Sequence, residues 1–286
     1  MAATIIDGKK IANALKERLH TEVNELLEKG VRPGLAVVLV GEDPASQVYV
    51  KNKEKACIDL GIHSVVHRLD ADTPQDKLID LIRLLNASSE IHGILVQKPL
   101  PAHIDEKAVI GAIAVEKDVD GFHPISVGNL LIGDEGFVPC TPAGVIEMLR
   151  AEGISVDGKR VAVIGRSNIV GKPMAALLIR ENATVTVCHS RTANLPEVTR
   201  EADVVVAAIG RPNFVKPEYV KPGAVVIDVG VNRLPDGKLA GDVDFEAVKE
   251  IASAITPVPG GVGRMTIAML MKNTVEAARK ASETAK

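Results

Sequence analysis

The run Gly34–Val40, GLAVVLV, constrains this chain most: seven residues without a polar side chain, too short for a typical helix and rich in β-branched residues, read as a strand buried on both faces. Such strands belong to parallel sheets clothed by helices, because parallel neighbours need crossover connections. The flanking sequence fits. After Asp7, an N-cap residue type, apolar residues recur at Ile11, Leu15, Leu19, Val23 and Leu26, the spacing of one helix face, until Gly30 ends the run. The turn Gly41–Pro44 leads into a helix over about Ser46–Leu60. Strand-like His63–Leu69, helix-like Pro74–Leu85 opened by Thr73, and strand-like Ile91–Val96 continue the alternation.

Between Lys98 and Pro139 scattered Gly and Pro predict loops and short helices. Thr141–Pro142 then has the form of an N-cap followed by proline at the first helical position, predicting a helix to about Ala151. A second βα series follows, with strands at Arg160–Ile164, Thr184–Cys188, Val204–Ala208 and Ala224–Val229 and helices over about Gly171–Glu181 and Pro196–Ala202. The last periodic segment, about Thr266–Lys280, is too isolated to stand alone and should pack back on one half. With 286 residues, close to the ~250–300 at which single cores stop growing, the reading is an α/β chain of two domains, each with a mostly parallel sheet and flanking helices, the second Rossmann-like. The expected division is 1–140 plus 268–286 against 141–267.

Composition narrows function. Thirty-four basic and 37 acidic side chains give a formal charge of −3, so no global positive field gathers nucleic acid or anionic membrane. At 2% aromatics, the stacking platforms of single-strand binders can hardly be built, and each Tyr carries more information than usual. The cysteines at 57, 140 and 188 are far apart and lack C-x-x-C spacing, which fits structural thiols in a reducing, cytoplasmic compartment. The seven His are scattered and receive no metal role.

GRSNIVGKP at Gly165–Pro173 stands where a strand ends and a helix begins, the context of a phosphate-binding turn. Its spacing is not G-x-G-x-x-G, and alone it reads equally as a structural βα turn. After the next strand come His189, Ser190, Arg191 and Thr192, hydroxyls and a guanidinium where an NAD site places an acid. With Arg166, which could otherwise be a solvated surface charge like Arg191, this favours the 2′-phosphate of NADP. In the first half Tyr49 and Lys53 share a helix face at i and i+4, either a surface contact or an acid–base pair. Gln97 lies at the carboxyl end of a parallel strand, and Asp120 in a Gly-ended loop. A lysine, an amide, a carboxylate and an aromatic ring beside a nicotinamide suit a flat nitrogen heterocycle that changes charge.

YVKNKEKA (49–56), GILVQKPLP (93–101), KDVDG (117–121), CTPAG (140–144), GRSNIVGKP, CHSRT, VIDVG and PVPGGVG occur together and in order. The combination resembles the bifunctional methylenetetrahydrofolate dehydrogenase/methenyltetrahydrofolate cyclohydrolase family, from Asp7 to Lys280. The resemblance implies a homodimer using NADP and tetrahydrofolate derivatives, with a folate-binding catalytic domain first and an NADP-binding domain second. It implies Lys53 as the central catalytic residue, Gln97 as its partner, Tyr49 stacking on the folate and Asp120 anchoring the pterin edge. It further implies Val96, Leu100, Pro259 and Gly260 in substrate binding, and Gly165, Arg166, Ser167, Ser190, Arg191, Val231 and Thr266 around NADP. The competing readings are an NADP-dependent dehydrogenase of shikimate-like architecture and an idle NADP-binding sensor.

Two positions depart from the family pattern. Arg264 stands where the glycine loop usually continues with Pro, and is expected to lower folate affinity or turnover by placing a long cation in that loop. Lys98 replaces the usual Leu, and alternation along an extended segment should turn it away from Gln97.

Overall fold

The computed structural model describes residues 3–284, and the chain divides into two compact units. In chain order the elements are β1 (Thr4–Ile5), α1 (Gly8–Glu28), β2 (Gly34–Val40), α2 (Pro44–Asp59), β3 (His63–Leu69), α3 (Gln75–Ala87), β4 (Gly93–Val96), α4 (Glu106–Ala112), α5 (Pro124–Ile132) and α6 (Cys140–Ala151). The second half continues with β5 (Arg160–Ile164), α7 (Gly171–Arg180), β6 (Thr184–Cys188), α8 (Leu195–Thr199), β7 (Val204–Ala207), β8 (Val225–Asp228), β9 (Asn232–Arg233), β10 (Leu239–Ala240), α9 (Phe245–Val248), β11 (Ala254–Ile255) and α10 (Val262–Thr284).

The first unit comprises residues 14–129, 134–138 and 267 onward, around a parallel sheet ordered β3-β2-β4. All seven residues of β2 are buried, as its apolar run demands. One face packs Ala36, Val38, Val40, Ile94 and Val96 against Leu78, Ile82 and Leu85 of α3. Gly93 lets another segment lie on the sheet: a Cβ there would come within 2.7 Å of a Val119 methyl.

The second unit comprises residues up to 13, 130–133 and 139–266, around a six-stranded parallel sheet ordered β1-β11-β8-β7-β5-β6. From β5 the chain steps outward to β6 and then returns to β7 on the other side of β5. The order therefore reverses between β5 and β7, and open α/β sheets take ligands at that switch point, outside the carboxyl ends of the strands. Residues up to 13 group with this unit rather than with the first half, because β1 pairs in parallel with β11. A two-residue strand has no period to reveal it.

Several local readings change. The α2 N-cap is Asp43, whose side chain accepts from the Ser46 N–H at 2.7 Å, so the helix starts two residues before Ser46. Thr73 does not open α3, which starts at Gln75 without a side-chain cap. Thr141 lies inside α6, and its hydroxyl meets the Thr266 hydroxyl at 2.9 Å. α10 begins at Val262, so Arg264 occupies a helical first turn and not a loop. Its side chain is exposed and its N–H bonds the Gly261 carbonyl at 3.1 Å.

Candidate active site

The first unit gathers one polar cluster. α2 runs against β2 and β3, burying Val50, Ala56 and Cys57. On the same helix Tyr49 is 45% exposed, and Lys53, one turn on, is half-buried. The Lys53 ammonium donates to Gln97 Oε1 at 2.8 Å. Gln97 follows β4 directly; its backbone N–H bonds the Val38 carbonyl at 2.8 Å, and its side-chain amide donates to the Lys98 carbonyl at 2.7 Å. That second bond fixes the amide orientation, so the carbonyl oxygen is what faces Lys53. Val96 is buried in the strand and Leu100 is half-buried.

KDVDG is three devices in five residues. Lys117 donates to the carbonyls of Leu85, Asn86 and Ser88 at 3.2, 2.8 and 2.7 Å, closing the end of α3. Asp118 is buried and accepts from the backbone of Phe122 and His123 and from the Ser126 hydroxyl. Val119 rests on Gly93, and its carbonyl accepts from the Asn273 amide at 2.8 Å. These anchors leave Asp120 at the turn before Gly121, whose φ is +72°. Burial pushes the Asp120 carboxyl above its usual range; the charge of Lys53 opposes that, Asp118 adds to it, and Lys98 opposes it too. The structure thus relates Lys53 and Asp120 through charge, and sets apart Asp118 and Lys117 as supports that motif reading missed.

The Lys98 ammonium pairs with Glu106 and lies 4.6 Å from the centroid of the Phe122 ring. It still acts on the site by charge. In Lys98→Leu, Asp120 loses one cation that holds its pKa down, so its carboxyl should take up a proton at higher pH. Carboxyl titration followed by NMR checks this, and an unmoved titration would refute it.

The second unit holds the other set. Gly165 closes β5 with φ +128°, and a Cβ on it would stand 2.2 Å from the Ala208 carbonyl oxygen after β7. A Cβ on Gly171 would stand 2.3 Å from the Gly165 carbonyl oxygen. Both glycines are therefore obligatory in this turn. The Ser167 hydroxyl accepts from the N–H groups of Val170 and Gly171, and the Ser167 carbonyl from Lys172. The first amides of α7 are thus already paired. Arg166 and Ser167 are exposed in this loop, and Ser190 and Arg191 are exposed after β6, which pairs with β5. No carboxylate occurs in CHSRT, and the glycine cradle with its exposed hydroxyls and guanidinium groups fits a phosphorylated dinucleotide. Val231 is 44% exposed beyond β8. Thr266 is half-buried beside Thr141, and Gly260, with φ +116°, follows exposed Pro259 in the turn before α10.

A parallel sheet with a glycine turn at its switch point, and a second α/β unit carrying a lysine–amide pair beside a carboxylate, define a nicotinamide-nucleotide enzyme acting on a nitrogen heterocycle. Residues 6–120 match the family model described as tetrahydrofolate dehydrogenase/cyclohydrolase, catalytic domain, and residues 139–282 the one described as the NAD(P)-binding domain. The chain is 59% identical over 280 residues to the bifunctional protein FolD of Bacillus pumilus, covering 98% of this chain and 99% of that one. The structure of the bifunctional FolD enzyme of Campylobacter jejuni superimposes with a TM-score of 0.96 at 51% identity, covering 98% and 99% of the two chains. That of Trypanosoma brucei FolD, complexed with NADP and an inhibitor, gives 0.94 at 41% identity and 99% coverage of both. The chain belongs to the tetrahydrofolate dehydrogenase/cyclohydrolase family. It is a bifunctional NADP-dependent enzyme of methylenetetrahydrofolate oxidation and methenyltetrahydrofolate hydrolysis, and the shikimate-type and idle-sensor readings fall away.

Proposed function

We propose a division of labour in which Lys53 is the base of the hydrolytic step, Gln97 orients it, Tyr49 lies against the folate ring and Asp120 binds the donor edge of the pterin. The observation that carries it is the 2.8 Å bond from Lys53 Nζ to Gln97 Oε1. An amine that spends one N–H on a fixed acceptor has its remaining directions set, so a lone pair on the neutral amine can be aimed at water. Val96, Leu100, Pro259 and Gly260 are proposed substrate contacts. Oxidation needs no protein base, because ring nitrogen electrons support the methenyl cation as hydride leaves. NADP, when bound, supplies the hydride acceptor. Hydrolysis then needs water deprotonated beside that cation. Spectrophotometric observation of methylenetetrahydrofolate with NADP, followed for methenyl formation and decay, tests the scheme. Formation without decay would remove the proposed base from the mechanism.

Gly165, Arg166, Ser167, Ser190, Arg191, Val231 and Thr266 are the proposed NADP contacts. A guanidinium–phosphate hydrogen bond is worth ~1.5–3 kcal/mol, so Arg191→Ala should weaken NADP by about tenfold or more and leave NAD nearly unchanged. Equal losses for both nucleotides, or none, would refute the 2′-phosphate assignment. Arg264→Pro should tighten folate binding or raise turnover. It removes a cation from the positive end of α10, at the loss of the bond from the residue 264 N–H to the Gly261 carbonyl. A selective loss of NADP affinity would instead make Arg264 a cofactor contact.

A homodimer and a cytoplasmic location belong to the same reading. β3 is an edge strand of seven residues bonded on one side to β2, with Ile58 of neighbouring α2 68% exposed, which suits a second copy. Sedimentation at micromolar concentration tests it. Among the described residues no helix is long and apolar enough to cross a membrane, and the three cysteines are free thiols, in keeping with a reducing compartment. The net charge supports no role in nucleic-acid binding.

A further inference from the structure

The second unit buries two carboxylates that the scheme above does not use. Asp242 is fully buried; its Oδ2 accepts from the backbone of Ile209 and Gly210 at 2.7 and 3.0 Å, and its Oδ1 from the backbone of Arg211 at 2.8 Å and the Asn232 amide at 2.9 Å. Asp228, at the end of β8, accepts from the N–H groups of Gly230, Asp242 and Val243, each at 2.9 Å. The packing admits no side chain between them. A Cβ on Gly230 would lie 2.3 Å from Asp242 Cγ, and one on Gly241 1.9 Å from Asp228 Oδ2.

What the pair holds lies beside the switch point. Residues 209–211 follow β7 directly, and the carbonyl of the preceding Ala208 is the atom against which Gly165 packs. Val231 is an exposed residue between Gly230, bonded to Asp228, and Asn232, bonded to Asp242. We infer that Asp242, itself gripped by Asp228, is the positioning residue of the nucleotide site: it sets the loop after β7 and the segment carrying Val231 in the conformation that receives the cofactor. The inference rests on the nucleotide reading above and adds residues that would not themselves touch the ligand. Two buried acids are tolerated so close together because backbone donors surround both. Burial, with the neighbouring Asp242 charge adding to it, still pushes Asp228 up to about 7 against three N–H bonds.

Asp242→Asn is the discriminating variant. A carboxamide keeps the shape but offers one acceptor oxygen, so either the Ile209–Gly210 pair or the Arg211–Asn232 pair of donors meets an NH₂ group. The NADP dissociation constant should rise about tenfold, the size expected for leaving buried donors unpaired, and the amides of 209–211 should exchange faster in the nucleotide-free protein. Hydrolysis of supplied methenyltetrahydrofolate should stay within about twofold, since the loop concerns the nucleotide only. Gly210→Ala is the second variant. Gly210 has φ +66° and open space around its Cβ, so alanine strains only the loop backbone, and NADP should weaken severalfold. If Asp242→Asn yields no folded protein, Gly210→Ala decides. Unchanged NADP affinity in a folded variant, or equal weakening of NADP and folate, overturns the positioning role. Arg191→Ala measured alongside separates the two levels. If it weakens NADP while both loop variants leave it unchanged, only the positioning role fails; if it has no effect, the nucleotide reading fails and the inference with it.

Discussion

Lys53→Met is expected to lower methenyltetrahydrofolate hydrolysis by about 10²–10⁴-fold, the usual contribution of a positioned base, while NADP-linked oxidation falls much less. Methionine keeps the apolar stem that lies along α2 and removes only the ammonium, so the fold should survive. Gln97 loses the donor 2.8 Å from its Oε1 but keeps its own bond to the Lys98 carbonyl, so the amide should hold its orientation. A second consequence separates this variant from simple damage. The Lys53 charge is the largest influence holding the Asp120 pKa down against burial. Without it the carboxyl takes up a proton at higher pH, so folate binding should weaken as pH falls from a higher starting point than in the parent. Stopped-flow decay of added methenyltetrahydrofolate, with folate affinity measured across pH, checks both statements. Unchanged hydrolysis would remove Lys53 from the base role.

How much of this could be read without coordinates depended on the range of the interaction. β2, β3, β5 and β6 begin and end where the sequence reading puts them; β2, β5 and β6 are largely apolar or β-branched runs, and the more polar β3 is bracketed by the helical patterns on either side. β1 and β11 are two residues each, and β1 exists only because residues 254–255, far along the chain, offer it an edge. Helix starts failed where several capping residue types stand close together. Asp43 and Ser46 both suit an N-cap, and only the geometry shows Asp43 accepting from Ser46; Thr141 is spent on Thr266 inside the helix. Among the candidate site residues, those proposed to meet small molecules were legible because odd polar residues at strand ends and in glycine loops have no local structural excuse. Their supports were not. Asp118 looks like Asp120, and Asp228 and Asp242 look like ordinary turn acids, until burial and the backbone donors around each are known. One sequence signal was available: VIDVG sets an acid at the end of an apolar strand, where a solvated charge has little room.

Gly165→Ala carries the second largest expected effect, and it should fall on NADP. The residue sits at φ +128°, which an L side chain rarely adopts, and the added methyl would stand 2.2 Å from the Ala208 carbonyl oxygen and 2.9 Å from its carbon. Backbone cannot swing aside as a side-chain tip can, so either β5 or the loop after β7 must move. Strain of ~1–3 kcal/mol at such a position corresponds to about 5–150-fold in an equilibrium constant. Because Gly165 also supplies the carbonyl against which Gly171 packs, the shift passes to the start of α7 and deforms the Arg166–Val170 loop. NADP affinity should therefore fall at least tenfold, near the middle of that range, with a lower melting temperature for the second unit. The first unit contains Tyr49, Lys53, Gln97 and Asp120 without any residue of this turn, so hydrolysis of supplied methenyltetrahydrofolate should persist. Nucleotide titration calorimetry beside a hydrolysis assay makes the comparison. Parent-like NADP affinity would show that the turn does not hold the dinucleotide, and equal loss of both activities would show that the strain is not confined to the nucleotide site.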